Sequence, residues 1–158
     1  MAFSVAAVIL AAGASTRMAG RGSKALLPVG GRPILDWSLA LFQSVACVDR
    51  IVVVTAEGDR EMVTSLCQGY PKVATPVMGG PTRHDSEYRG LTALADSIDE
   101  GKIDTLLVHD AARPFHDRRC VRAAETGIVS APVGVEQWPR RKRLRGLRCP
   151  IGLRPTHS

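Results

Sequence analysis

Two basic side chains follow the first long apolar run of the chain and lie seven residues apart. Arg17 and Lys24 belong to the segment AAGASTRMAGRGSKALLPVGG, residues 11–31, which is rich in small residues. Small residues let backbone N–H groups approach an anion closely, and cationic side chains neutralise phosphate charge. The segment is neither a Walker A loop, because Ser23 rather than glycine precedes Lys24, nor a G-x-G-x-x-G loop. It therefore indicates either a phosphate-binding loop or a surface loop with ordinary charges.

A carboxylate and a guanidinium end another apolar run, within LLVHDAARPF, residues 106–115. His109 and Asp110 follow the run, and Arg113 lies three residues beyond Asp110. A carboxylate beside bound phosphates acts mainly through Mg²⁺ or a ribose hydroxyl, and a guanidinium can hold a phosphate as a bidentate fork. The alternative is structural, with Asp110 capping a following helix and Arg113 a solvated charge. The residue types alone leave both interpretations open.

Two adjacent glycines stand in a third segment, MGGPTRHDSEYRGL, residues 78–91. Gly79 and Gly80 allow close backbone approach, and Ser86 supplies a hydroxyl near the start of a predicted helix. The alternative is a turn followed by an Asp or Ser N-cap, which is common at helix starts. The four histidines of the chain have no ligand-like spacing, so the sequence predicts no histidine metal site.

Each of these three segments follows an apolar run of strand length. The runs are Val5–Leu10, Ile51–Thr55, Val73–Val77 and Ile103–Val108. The helix-length segments between them are Pro33–Ala46, Asp59–Gln68 and Thr82–Ser97. This alternation predicts an α/β fold with a mostly parallel sheet whose strands are buried on both faces. Ligands of such sheets bind outside the carboxyl ends of the strands, which is where the three segments would meet.

The charge distribution argues against nucleic-acid binding by the main part of the chain. The 158 residues carry a net charge of +6, but residues 1–133 contain 14 basic and 14 acidic residues, so the excess lies in 134–158. The longest apolar stretch, Val5–Ala12, is far too short to span a bilayer, and we expect no signal peptide before it. Four scattered cysteines without a C-x-x-C pair predict reduced thiols. We therefore expect a cytoplasmic protein without a membrane partner.

Four stretches of the chain resemble one enzyme family. VILAAGASTRM, SKALLPVGGRPIL, GGPTRHDS and VHDAARPF are similar, in this order, to 2-C-methyl-D-erythritol 4-phosphate cytidylyltransferase of non-mevalonate isoprenoid synthesis, whose close relative is ribitol-5-phosphate cytidylyltransferase. The resemblance runs from Met1 to about Val133. VHDAARPF is a specific signature, whereas the A-A-G-x-x-x-R-M loop is shared by many nucleotidyltransferases. The resemblance implies a Rossmann-like nucleotidyltransferase fold, CTP as cosubstrate, Mg²⁺ as the metal and a homodimer.

The resemblance also implies roles for individual residues. Arg17 and Lys24 match the two catalytic cations that stabilise the transition state. The residues that match nucleotide-binding positions are Ala11, Ala12, Gly13, Ser15, Gly80, Ser86, Asp110 and Ala111. Ser15 replaces a frequent glycine, and the positions of Gly80 and Ser86 are those that read cytosine. Asp110 also matches the position near the metal and the second substrate, and Arg113 matches a residue that contacts that substrate.

The resemblance stops after Val133. From Gly134 to Ser158 the chain is rich in Arg, Pro and Gly and contains one acid, Glu136. The family continues with an arm and further strands that cannot be placed here. We therefore expect an incomplete cytidylyltransferase domain, residues 1–133, and a basic tail, residues 134–158, that is disordered or non-native, as a shifted reading frame in GC-rich DNA would produce. An RNA-binding tail is the alternative, although it lacks aromatic residues beyond Trp138.

The implied reaction is cytidylyl transfer from CTP to 2-C-methyl-D-erythritol 4-phosphate with release of pyrophosphate. The sugar-alcohol phosphate attacks the α-phosphorus, and no covalent enzyme intermediate is needed. Catalysis then consists of positioning and of electrostatic stabilisation of phosphoryl charge, which requires cations rather than a nucleophile. The alternatives are ribitol-5-phosphate cytidylyltransferase, a sugar- or purine-specific nucleotidyltransferase, and a nucleotide-binding remnant without turnover.

Overall fold

Strands and helices alternate along the chain. The computed structural model describes residues 4–13, 23–113 and 134–137, the last four through their backbone. The elements are β1 (Val5–Ala11), β2 (Pro28–Val29), β3 (Arg32–Pro33), α1 (Ile34–Ser44), β4 (Val48–Thr55), α2 (Arg60–Cys67), β5 (Val77–Met78), α3 (Arg83–Thr92), α4 (Ala95–Asp99), β6 (Thr105–Asp110) and β7 (Gly134–Gln137). Short 3-10 turns occur at Lys24–Leu26 and Glu57–Asp59.

The strands form a five-stranded sheet with the order β5-β4-β1-β6-β7. The strands β5, β4, β1 and β6 run parallel, and β7 pairs antiparallel with β6. The central strand β1 is buried along its whole length, as its apolar run without alternation predicts. This parallel sheet confirms the predicted α/β fold.

Helices cover both faces of the sheet, and each face has its own core. On one face, α1 contributes Leu35, Leu39 and Phe42, which pack with alternate residues of β1 such as Ala7 and Ile9. The opposite core includes the β1 residues Ala6 and Val8 together with Leu94 and Ile98 from the helical segment after β5. Burying each large apolar side chain stabilises the fold by roughly 1.5–3 kcal/mol, so these two cores hold the ends of the strands in place.

Two predicted elements differ from the structure. The strand predicted over Val73–Val77 is reduced to an isolated bridge between Val73 and Ile51 and the two residues of β5. Pro76 has no N–H to donate to a strand ladder, which limits the pairing before β5. The helix predicted over Thr82–Ser97 is two helices, α3 and α4, because the chain leaves regular helical geometry at Ala93 and Leu94.

The sequence prediction omitted the hairpin β2–β3, which leads the chain into α1. Gly30 and Gly31 form its two-residue turn with φ of 60° and 78°, a conformation that favours glycine at both positions. Arg32 lies over the ring of Trp37, 4.6 Å from its centre, and the Trp37 indole N–H donates to the Val29 carbonyl at 2.9 Å. The hairpin is therefore fastened to the first turn of α1.

The strand β7 contains the first four residues of the segment predicted to be a basic tail. It pairs with Thr105–Val108 of β6 and so extends the sheet beyond its parallel part. Residues 138–158 lie outside the described residues, and the tail stays a prediction. Within the part of the chain that the structure describes, no helix has the length and apolar character to cross a membrane.

Candidate functional site

An open cavity of about 470 Å³ lies at the carboxyl ends of β1, β4 and β6, beside the start of α3. Its volume is within the range of about 300–1,000 Å³ that is typical of small-molecule sites. The residues that line it are Leu10, Ala12, Gly13, Ala56, Glu57, Gly79, Gly80, Pro81, Thr82, Arg83, Ser86 and Asp110. Parallel α/β sheets bind their ligands at this edge, so the cavity is the candidate functional site.

Strand register brings the segments of the cavity together. Leu10 of β1 pairs with Val54 of β4 on one side and with Asp110 of β6 on the other. The three strands therefore end at the same level, and the residues that follow them share one edge of the sheet. This juxtaposition depends on pairing between residues that are far apart in the sequence.

Side-chain alternation along β6 decides which of its last residues reach the cavity. His109 is buried against α1, where it contacts Ser38 and lies 5.1 Å from Phe42 between ring centres. Ala111 is fully buried in the same core. Asp110 lies on the opposite face of the strand and opens into the cavity. Successive side chains of a strand point to opposite faces, which separates Asp110 from its two neighbours.

The glycine pair at the floor of the cavity is required by packing. A Cβ atom on Gly79 would lie 2.3 Å from Cβ of Ala12, and one on Gly80 would lie 2.2 Å from Cβ of Asp85. These distances are far shorter than real carbon contacts, so no side chain fits at either position. The absence of side chains brings the backbone of this turn directly against the end of β1 and the start of α3.

A hydrogen-bond network makes the turn between Gly80 and Ser86 rigid. The Gly80 N–H donates to Oγ of Ser86 at 3.1 Å, and the Ser86 hydroxyl donates to the carbonyl of Thr82 at 3.0 Å. Thr82 is the N-cap of α3, and its hydroxyl oxygen accepts from the Asp85 N–H while the Asp85 carboxylate accepts from the Thr82 N–H. Hydrogen bonds from Thr82 lower the pKa of the Asp85 carboxyl.

The alternative interpretation, an Asp or Ser N-cap for α3, was therefore wrong in its residue, because Thr82 occupies that position. A T-x-x-D pattern is the sequence signature of a capping box, and it could have identified Thr82 before the structure was known.

Both oxygens of the Asp110 carboxylate have partners. Oδ1 accepts from the Ala112 N–H at 3.1 Å, and Oδ2 lies 3.3 Å from Nη1 of Arg83. The bond to Ala112 is a local turn contact, which short acidic side chains commonly make. A helix capped by Asp110, the alternative prediction, would begin at Ala111, but the structure describes a turn at Ala111 and Ala112.

Ser23 ties the turn that contains Lys24 to the end of β1. Its hydroxyl donates to the Ala11 carbonyl at 3.2 Å and accepts from the Ala25 N–H at 3.3 Å. The Lys24 side chain is exposed on this turn. Sequence reasoning noted Ser23 only as a departure from the Walker A pattern and missed its structural role.

The structure brings together some of the predicted site residues and separates others. Those that line the cavity are Ala12, Gly13, Gly80, Ser86 and Asp110. Ala11 and Ala111 are buried in the core on the α1 side, and Arg113 lies beside the site with its N–H donating to the Asp110 carbonyl at 3.0 Å. Ser15 and Arg17 lie outside the described residues, so their predicted roles stay predictions.

Three charged residues at the cavity were missed by sequence reasoning. Arg83 and Glu57 line it, and Nη1 of Arg89 donates to the carbonyl of Gly79 at 2.8 Å. Glu57 follows β4, and the rule that ligands bind beyond strand ends could have identified it. The two arginines lie on α3, and only the packing of that helix shows which atoms they reach.

The donors at the cavity fit Mg²⁺ only as an ion shared with a bound phosphate ligand. Within the described ranges, no group of three or more His, Cys, Asp or Glu is placed to hold a metal ion. Mg²⁺ is usually held by one or two carboxylates together with substrate phosphates and waters. Asp110, a partly exposed carboxylate in a cavity large enough for a nucleotide, meets that requirement.

A parallel sheet with helices on both faces and a cavity at its carboxyl edge defines a Rossmann-like α/β domain. A sequence model of the family described as IspD, 2-C-methyl-D-erythritol 4-phosphate cytidylyltransferase, matches residues 5–133. The chain belongs to this family, which confirms the resemblance found in its motifs.

Individual relatives agree with the family match. A 2-C-methyl-D-erythritol 4-phosphate cytidylyltransferase of Parasynechococcus marenigrum (strain WH8102) is 35% identical over 133 residues, which are 80% of this chain and 57% of the relative. One from Bifidobacterium longum (strain DJO10A) is 40% identical over 121 residues, 74% and 40% of the two chains. The chain therefore spans about half the length of the curated relatives it matches.

The fold also matches solved structures. The crystal structure of 4-diphosphocytidyl-2C-methyl-D-erythritol synthase from Anaerococcus prevotii DSM 20548 superposes with a TM-score of 0.66 at 25% identity, covering 80% of this chain and 52% of the other. This agreement confirms the predicted nucleotidyltransferase fold.

Proposed function

We propose that the cavity binds CTP and that the chain takes part in cytidylyl transfer to 2-C-methyl-D-erythritol 4-phosphate with release of pyrophosphate. The observation that carries the proposal is that residues from three separate motifs, represented by Gly13, Gly80 and Asp110, line the same cavity. The relatives and the superposed structure bear the names of enzymes of this reaction, and the chain shares their fold and motifs.

The turn from Gly79 to Ser86 suits recognition of a base. Its backbone is fixed by the Ser86 hydroxyl and by the capping box of α3, so its polar groups keep their directions before a ligand arrives. Such preorganisation lowers the entropic cost of binding. The small residues Ala12 and Gly13 leave room for a nucleotide to lie against the end of β1.

Asp110 is proposed to accept a hydrogen bond from a ribose hydroxyl and to hold Mg²⁺. The ion, when bound with the nucleotide, would neutralise charge on phosphoryl oxygens. Lys24 and Arg17 would stabilise the charge that grows on those oxygens in the transition state. Arg113 is proposed to contact the sugar-alcohol phosphate. Ala11, Ser15 and Ala111 are proposed to contribute to the nucleotide site through their backbone groups.

The proposal includes a homodimer and a cytoplasmic location, which rest on the family resemblance and on the scattered cysteines. Transfer to ribitol 5-phosphate is the alternative reaction, and nucleotide binding without turnover is the alternative function.

Titration calorimetry of the full chain with CTP, UTP and ATP, each with Mg²⁺, tests the nucleotide assignment. We expect CTP to bind most tightly, and the Asp110→Asn variant to bind it more weakly. Equal affinity for the three nucleotides would remove the cytidylyl assignment. A pyrophosphate-release assay with each sugar-alcohol phosphate then separates the two reactions, and CTP binding without release identifies the remnant.

A further inference from the structure

An ion pair crosses the mouth of the cavity between two elements that are distant in sequence. Arg83 is the first residue of α3, and its Nη1 lies 3.3 Å from Oδ2 of Asp110 at the end of β6. The same guanidinium donates from Nε to Oε1 of Glu87 at 3.0 Å. Arg83 is thus held at two points, and its contact with Glu87 directs Nη1 toward the carboxylate.

The two contacts on Asp110 fix the orientation of its carboxyl group. Oδ1 is held by the N–H of Ala112 in its own loop, and Oδ2 is held by Arg83 from the opposite side of the cavity. Without Arg83, the hydrogen bond from the Ala112 N–H to Oδ1 would be the one described contact of the carboxylate. The carboxyl group could then turn about that contact, and the position of Oδ2 would change. The guanidinium therefore determines where the second oxygen stands.

Stability does not account for this ion pair. The Arg83 side chain is 64% exposed and that of Asp110 is 29% exposed, and exposed ion pairs typically contribute between about 0 and 1 kcal/mol. Both residues instead line the cavity, where the direction of a carboxylate determines what it can bind. Because the two side chains are already ordered before a ligand arrives, ligand binding loses less conformational entropy.

We infer that Arg83 is a positioning residue for the nucleotide site, acting through Asp110; the inference rests on the proposed binding of CTP. Arg83 holds the Asp110 carboxylate toward the cavity in the nucleotide-free protein. An arginine is suited to this role because its planar fork can contact Glu87 and Asp110 at the same time, which the single ammonium group of a lysine does less well.

A double-mutant cycle on CTP affinity tests the inference. Calorimetry with CTP and Mg²⁺ is carried out on the full chain, on Arg83→Gln, on Asp110→Asn and on the double variant. We expect Arg83→Gln to weaken CTP binding by roughly 3- to 10-fold, the size of coupling found within one hydrogen-bond network. In the Asp110→Asn background, the same change should have almost no further effect.

Three further variants test the effect of charge, the supporting contact with Glu87 and the need for a guanidinium. Arg50→Gln removes an arginine at the opposite edge of the sheet, where its Nη1 donates to Ser97 Oγ at 2.8 Å, and should leave CTP affinity unchanged. Glu87→Gln should produce a smaller loss than Arg83→Gln and no further loss when the two are combined. Arg83→Lys should recover only part of the lost affinity.

The role of Arg83 and the binding of CTP fail under different results. Losses from Arg83→Gln and Asp110→Asn that multiply would show that Arg83 acts on the nucleotide directly, and they would overturn the inference while CTP binding stands. Unchanged affinity in Arg83→Gln would overturn it as well. Failure of the unmodified chain to bind CTP would overturn the proposed function, and the inference with it.

Discussion

Ser38 of α1 and His109 of β6 are joined by a hydrogen bond inside the core, with Oγ 3.1 Å from Nε2. Both residues are almost completely buried. The contact links the middle of the helix to the strand residue that immediately precedes Asp110. It therefore fastens the end of β6 from the face opposite the cavity.

Replacing Ser38 with alanine should destabilise the protein by about 1–3 kcal/mol, because a buried polar atom of His109 loses this hydrogen bond. Urea denaturation followed by circular dichroism measures the change. Ser44→Ala is the matched control, since Ser44 ends the same helix and its exposed hydroxyl donates to the Leu41 carbonyl. We expect the control to change stability by less than about 0.5 kcal/mol. Equal effects of the two substitutions would contradict the role of the buried contact.

Gly90 of α3 lies directly against the sheet. A Cβ atom there would be 2.5 Å from Cγ1 of Val8 and 2.9 Å from Cγ2 of Val54. Gly90→Ala should therefore destabilise the fold by roughly 1–3 kcal/mol through overpacking, although alanine is the better helix former by about 1 kcal/mol. Thermal unfolding checks the sign of the effect.

A second substitution tests the cause of that effect. Val8→Ala removes the nearer of the two atoms that the new Cβ would meet, so the double variant should be less unstable than the sum of the single variants. Gly58→Ala is the control, because no atom lies within 4 Å of the Cβ position there. Additive losses would show that the contact with Val8 is not responsible.

Tyr70 joins the segment after α2 to α1. Its hydroxyl donates to the Asp36 carboxylate and accepts from Nη2 of Arg32 at 3.4 Å. Burial, together with the hydrogen bond to Asp36, raises the pKa of Tyr70 to about 12. In the unfolded chain tyrosine titrates near pH 10.

Stability should therefore decrease as the pH rises from about 10 to about 12. In this window the unfolded chain has released the phenolic proton and the folded protein still holds it, so higher pH favours unfolding. Tyr70→Phe should reduce this slope, as measured by urea denaturation at a series of pH values. Tyr88→Phe, which removes an exposed hydroxyl from α3, controls for the substitution itself. A slope that persists in Tyr70→Phe would assign the effect to other groups.

Lys24 is expected to act on turnover more than on nucleotide affinity. In the role proposed for it, Lys24 stabilises phosphoryl oxygens whose charge grows in the transition state, and loss of one such stabilising group typically costs about 10²–10³ in rate. Pyrophosphate release by Lys24→Ala and calorimetry with CTP measure the two quantities separately. Lys102→Ala, which removes a lysine paired with Glu100 near the amino end of β6, should behave like the unmodified chain. A change confined to KM would indicate a role in ground-state binding instead.

The local patterns of the sequence predict the sheet well and its less regular parts poorly. The continuous apolar run that became β1 needs no partner to be recognised, because a strand buried on both faces is apolar at every position. The strand predicted around Val73 is reduced to a bridge with Ile51, because Pro76 has no N–H to donate to a strand ladder. The hairpin at Gly30 and Gly31 was missed although its glycine pair is a local signal.

The sequence by itself determined the family, the alternation of strands and helices, and the motif residues that meet at the cavity. Each of these depends on residue types and their spacing over a few neighbouring positions. Only the tertiary structure decided that Asp110 faces the cavity while His109 and Ala111 face the core, and that Arg83 meets Asp110 and Ser38 meets His109. Those pairs are 27 and 71 residues apart, and their contact depends on strand register and helix packing. Register and packing follow from the burial of the whole chain, which no short stretch of sequence contains.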